Sequence, residues 1–207
     1  MPKLTLSLMR NLVLALPFAF VSATAFAQTD TTEEETPEKP AIESELSLGE
    51  VEPEGPKVGE TYVSEEFGDW SLRCIKTEDG DDPCQMYQLL ADGEGTPISE
   101  FTLFRLPEGG QAKAGATIIV PLETSLGEQL SVKIDDKQSK RYPFAFCNSI
   151  GCYARIGLTE ADVDSFKKGV TATLTIVPIL APDQKVDVTL SLKGFTAGYE
   201  KVSVIRQ

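Results

Sequence analysis

The chain contains no histidine. That absence excludes Ser-His-Asp and Cys-His nucleophilic catalysis, H-E-x-x-H zinc chemistry and any imidazole acid–base step. The sequence also lacks a G-x-S-x-G elbow, a G-x-x-x-x-G-K-[ST] phosphate loop and a G-x-G-x-x-G turn after a strand. Basic side chains are scarce: 19 Lys and Arg stand against 32 Asp and Glu, a net charge of −13 over 207 residues. Nucleic acid and anionic lipid both need clustered cations, so neither is an expected partner. Catalysis would have to rest on carboxylates, Lys or Tyr, and no residue is assigned a catalytic role. No cofactor or metal is called for.

What is present begins with an export signal. Lys3 and Arg10 precede the apolar run NLVLALPFAFV, and Ala25 and Ala27 are the small residues expected at −3 and −1 of a cut before Gln28. The run is shorter than the ~20 residues a membrane span needs, and Pro17 interrupts it. Residues 1–27 are therefore read as a signal peptide, with no membrane span in the mature chain. Residues 28–57 hold ten acids, two lysines, four prolines and no aromatic side chain. Such a stretch cannot bury enough apolar area to offset its ordering entropy, which predicts an acidic, disordered tether. Residues 58–207 are long enough for one ordinary domain with a sound core.

Within that domain, short apolar runs alternate with Gly, Pro and Asp. Strands are expected at 67–74, 84–91, 98–106, 116–122, 129–134, 140–146, 152–158, 171–178 and 185–192, with a tail strand near Phe195–Val204. Their spacing predicts an all-β antiparallel sandwich or barrel. One helix is expected in LTEADVDSFKKG, with Thr159 as cap, Asp162 at the capping-box position, lysines in the last turn and Gly169 at the end.

Four cysteines in an exported chain are read as two disulfides. Cys147 and Cys152 become facing residues if Asn148–Gly151 is a four-residue hairpin loop. Cys74 and Cys84 end and begin neighbouring strands, so the two local bridges are favoured over the crossed ones. A Cys₄ zinc site or a redox switch is the alternative, and neither spacing matches: zinc pairs sit two to four residues apart and redox pairs need C-x-x-C. The acidic loop EDGDDP (78–83) could hold calcium but lacks the spaced ligand pattern, and is read as a solvated hairpin loop. Trp70 shares a strand face with Cys74, as a core tryptophan beside a disulfide does. In YPFAFCNSIGCY, Tyr142, Phe144 and Phe146 are expected on one face, with Tyr153 joining them across the hairpin. At a sheet edge these four residues would form an exposed apolar contact surface.

The ordered set FGDW-x-L-x-C, a second Cys leading MYQ, FRLP, VPL, PF before C-x-x-x-x-C-x-A, a short capped helix and SLKGF resembles the invasion-associated locus B family of alphaproteobacteria. The resemblance spans Phe67 to Phe195. It implies an immunoglobulin-like β-sandwich in the periplasm or at the cell surface. With the helix read above, the expected fold is an immunoglobulin-like antiparallel β-sandwich with one short helix, and the expected address is the periplasm, with outer-membrane association or secretion as the alternatives. It brings no catalytic motif, and its name implies a role in host-cell invasion. The function expected from the residues is binding rather than catalysis, of an envelope or surface protein or a host-cell component, with a carboxylate-based hydrolase or a periplasmic structural or quality-control protein as the alternatives.

Overall fold

Strand formation in this chain is driven by two inward-facing apolar rows that meet face to face. A computed structural model describes residues 54–205, together with Ser47 and residues 49–52. The expected signal peptide lies outside the described residues, as does most of the expected tether. The elements are β1 (Thr61–Phe67), β2 (Trp70–Ile75), β3 (Cys84–Ala91), β4 (Pro97–Arg105), β5 (Ala112–Val120), β6 (Leu130–Ile134), β7 (Lys140–Tyr142), β8 (Phe144–Cys147), β9 (Cys152–Thr159), α1 (Glu160–Lys168), β10 (Thr171–Ile176), β11 (Val186–Ser191) and α2 (Phe195–Lys201). They form a seven-stranded sheet, β1-β2-β3-β4-β5-β9-β8, and a four-stranded sheet, β11-β10-β6-β7. All strand pairs are antiparallel. The fold is thus an all-β sandwich.

The period-2 pattern sets which side chains go inside. On the larger sheet the inward row includes Trp70, Leu72, Met86, Leu90, Phe101, Leu103, Ile118, Ala154 and Ile156, all buried. The smaller sheet contributes Leu130, Val132, Leu174, Val188 and Leu190, also buried. Helix α1 adds Val163 and Phe166, and its cap is the expected one: Thr159 and Asp162 bond reciprocally as a capping box.

Three sequence expectations change. The stretch 140–146 is not one strand. Pro143 has no N–H to continue a ladder, and there the chain leaves the four-stranded sheet as β7 and enters the seven-stranded sheet as β8. The tail is a second helix, not a strand, since Phe195, Gly198, Tyr199 and Val202 recur at helical spacing on its buried side. Strand β1 was not expected at all, because its sequence TYVSEEF lies mostly exposed on a sheet edge and shows no apolar alternation.

The FGDW and SLKGF stretches meet in space. Gly68, at φ +61°, opens the two-residue turn between β1 and β2, and a side chain there would strike the Lys193 carbonyl at 2.5 Å. Gly194, at φ +88°, is constrained in return: its missing Cβ would lie 1.9 Å from the Phe67 carbonyl oxygen. Around this contact Asp69 donates its N–H to Lys193 O (3.2 Å) and accepts from the Ser191 hydroxyl (2.6 Å). Trp70 packs edge-on against Phe195 and Phe101, with ring centres 5.6 and 5.8 Å away. The buried Gln88 amide bonds both the N–H and the carbonyl of Ser191, at 2.8 and 3.0 Å, so β3 of one sheet is tied to β11 of the other.

Trp70→Ala is expected to cost about 3–5 kcal/mol, read by chemical denaturation, and native tryptophan emission should be blue-shifted. Gly194→Ala should cost about 2–4 kcal/mol through left-handed strain plus overpacking. Wild-type stability in Gly194→Ala would show that the junction tolerates a side chain and that its closeness is incidental.

Candidate functional site

The hairpin joining β8 to β9 is locked locally. Cys147 and Cys152 are paired by a disulfide with their Cα atoms 4.0 Å apart. Asn148 makes the turn: its side-chain oxygen accepts from Ile150 N (2.8 Å) and Gly151 N (3.3 Å), and its own N–H donates to Gly151 O (3.0 Å). Gly151 lies so close to β5 that a Cβ would meet the Val120 carbonyl at 2.5 Å. The result is a rigid tip from which Ile150 projects with 71% of its surface exposed.

A β-bulge decides which aromatic is displayed. Phe144 pairs with Ala154, and Phe146 with Tyr153, so Ala145 is the extra residue. Ala154 faces the core, which turns Phe144 inward, whereas Phe146 goes to the outer face beside Tyr153. The four candidate aromatics are therefore not one surface. Tyr142, on the other sheet, and Phe144 are half-buried against the core, and burial pushes the Tyr142 phenol pKa up. Phe146 and Tyr153 stack in parallel with ring centres 4.6 Å apart, and the Arg155 guanidinium sits 5.2 Å over the Phe146 ring. Asn148 Nδ2 donates to the Tyr153 hydroxyl at 3.3 Å, linking the stack to the turn.

The stack continues across the sheet. Leu89, Glu100, Ile119, Tyr153 and Phe146 are successive cross-strand neighbours on the outer face. Toward the hairpin tip, Leu89, Ile98, Ile119, Pro121, Leu122 and Ile150 line a shallow concavity of about 410 Å³. Leu89 and Leu122 are each 53% exposed and Phe146 42%. The outer face of the smaller sheet is different: Ser131, Lys133, Ser139, Arg141, Thr173, Thr175 and Asp187 make it polar, and its hydroxyls bond one another and Asp187. Of the two sheets described, the larger carries the apolar, aromatic outer face.

The residues of this surface beyond Phe146 and Tyr153 escaped the sequence reading. A signal existed in two places. Ile150 is a lone apolar residue among turn formers, and CQMYQLLA places Tyr87 and Leu89 opposite its buried Met86 and Leu90.

The acidic loop does structural work. Cys74 and Cys84 form the second disulfide at its base, Cα atoms 4.0 Å apart. Asp82, with only 9% of its side chain exposed, accepts from the Tyr62 hydroxyl (2.7 Å), the Thr77 N–H (2.7 Å), the Thr77 hydroxyl (2.7 Å) and Lys76 Nζ (3.2 Å). Both its oxygens are occupied by donors. Among the described residues no three His, Cys, Asp or Glu side chains are grouped to hold a metal ion.

A two-disulfide β-sandwich with a preformed, exposed apolar surface on one sheet is the class these observations define. The family profile described as invasion associated locus B (IalB) protein matches residues 70–203, and the chain belongs to that family. Two invasion protein B homologues of Brucella abortus, from strain 2308 and biovar 1 strain 9-941, are each 26% identical over 147 residues, covering 71% of this chain and 83% of theirs. The crystal structure of invasion associated protein B from Bartonella henselae superimposes with a TM-score of 0.56 at 17% identity, over 66% of this chain and 93% of that one. That likeness shows the fold. Among the described residues no helix is long and apolar enough to cross a membrane.

The Tyr62 hydroxyl, followed by Thr77 and Lys76, holds the Asp82 carboxyl well below the usual carboxylate range. Folding lowers this pKa, so the stability it contributes is complete above the unfolded value of ~4 and is lost as pH falls below it. Asp82→Asn should melt below wild type at pH 7, with the gap closing as pH drops through the carboxylate range. A gap that stays constant in melts taken across that range would remove Asp82 from this role.

Proposed function

We propose that the chain is an exported, non-catalytic binding protein of the bacterial cell envelope that holds a protein partner on the outer face of its larger sheet. The observation that carries this reading is Ile150, presented at 71% exposure on a turn closed by a disulfide and by Asn148, beside the Phe146–Tyr153 stack. An apolar side chain held rigidly in water loses little freedom on binding, which favours affinity. Aliphatic and aromatic residues with a neighbouring arginine are the composition of a protein interface rather than of a solvated face.

Export is supported by the leader-like first 27 residues and by the pairing of all four cysteines, which fits an oxidising compartment. The reading places the protein in the periplasm, with outer-membrane association or secretion as the further addresses. The Brucella relatives are called invasion protein B homologues, and a host-cell component is accordingly the second class of partner after an envelope protein.

A photo-crosslinking residue at Ile150 or Leu122, introduced into intact cells, should capture one stoichiometric partner, and the same residue at Thr173 on the smaller sheet should capture none. Many weak adducts from both faces would favour a structural or quality-control role instead. Cys147→Ser combined with Cys152→Ser should lower stability by roughly 2 kcal/mol. Its loss of crosslinking should exceed what that stability change explains, because the bridge fixes the tip.

A further inference from the structure

The outer face of the larger sheet is ordered along β9. Ile150 stands at the hairpin tip, Tyr153 with Phe146 lies next, and Arg155 follows two residues on. One strand face advances ~6.8 Å over two residues, so Arg155 lies about that far along β9 from Tyr153, with Ile150 on the opposite side at the tip. Arg155 is exposed, lies over the Phe146 ring, and makes no ion pair among the described residues. Its neighbours in register are Thr117 and, one strand further, Thr102, both without charge. Carboxylates do occur on the face: Glu100 sits between Leu89 and Ile119, and Glu66 is at the far edge on β1. Neither is within salt-bridge distance of Arg155.

A guanidinium resting on a ring still has its N–H edge available, and that edge matches a carboxylate in two parallel hydrogen bonds. From this complementarity, and resting on the function proposed above, we propose that the partner offers an extended protein segment. One of its apolar side chains seats beside Ile150 and Tyr153, and a carboxylate a few residues away seats on Arg155. A polysaccharide would make little use of Leu89, Leu122 and Ile150, and two copies of so acidic a chain repel each other.

The test is a titration of the isotopically labelled mature protein, followed by amide and arginine side-chain NMR shifts. The probe is the blocked peptide Glu-Thr-Leu-Thr-Leu-Thr-Glu, whose two end carboxylates share the leucine face and so serve either chain direction, and its comparison is Gln-Thr-Leu-Thr-Leu-Thr-Gln. The acidic peptide should shift residues of β5, β8 and β9 and bind about tenfold more tightly than the amide form. Arg155→Gln, a change on the exposed surface, should erase that preference with the native spectrum retained. Arg73→Gln, which alters the other ring-stacked arginine of this sheet, should leave it intact. Equal binding of both peptides at this surface would overturn the carboxylate inference while leaving the proposed binding face standing. Shifts elsewhere, or none, would overturn both. Concentration-dependent shifts at the surface without peptide would assign it to a second copy, and stronger shifts with a sulfated oligosaccharide would assign it to a glycan; either result overturns the proposal.

Discussion

Two glycines that each forbid a side chain to the other's segment set the geometry of this sandwich. The Phe67–Trp70 turn and the Ser191–Phe195 segment come within backbone contact only because Gly68 and Gly194 have no Cβ. That approach brings Asp69 to Ser191 and Trp70 to Phe195, and the same segment receives the Gln88 amide. One junction therefore joins the first hairpin, the third strand, the last strand and the second helix. The core fills around it: Phe195 contacts Phe166 of α1 and Tyr199 of α2, at ring-centre distances of 5.3 and 5.7 Å. Loosening the junction would separate the sheets where they are bridged by polar groups, and those groups would then lie buried without partners.

The sandwich itself was legible because its inward rows alternate cleanly. Trp70 and Leu72 on β2, and Met86, Gln88 and Leu90 on β3, follow the two-residue period without interruption. Helix α1 was legible at both ends because capping chemistry is local: Thr159, Asp162 and Gly169 act within a few residues of themselves. What stayed hidden depended on distant neighbours. The edge strand β1 sets only Tyr62 and Phe67 against the core, too few to show an alternating row, and α2 reads equally well as a strand until its place over β1, β2 and β3 is known. Pro143 signals a break, but nothing nearby in the sequence says that the chain changes sheets there.

The apolar outer face was half legible for a related reason. Facing cysteines imply the hairpin, and the hairpin implies that Tyr153 meets a residue of the preceding strand. The identity of that residue turns on parity. Three positions separate Phe144 from Cys147, whereas two separate their partners Ala154 and Cys152, and the surplus residue becomes the bulge at Ala145. A count along one strand cannot reveal the bulge; it takes the register of both. The apolar companions Leu89, Ile119 and Leu122 come from three other segments and converge only in the folded sheet.

The sheet edges limit how another chain can attach itself to this fold. Strand β8 is four residues long and bulged, β1 is bulged and carries Glu65 and Glu66, and the end of β11 has its Ser191 backbone groups taken by the Gln88 side chain. Each device discourages another chain from adding itself as a further strand. Binding through an edge reads backbone, which all polypeptides share. Binding on a face reads only side chains. With these three edges blunted, the faces offer a neighbouring chain side chains rather than backbone, and an unfolded chain finds little there to pair with.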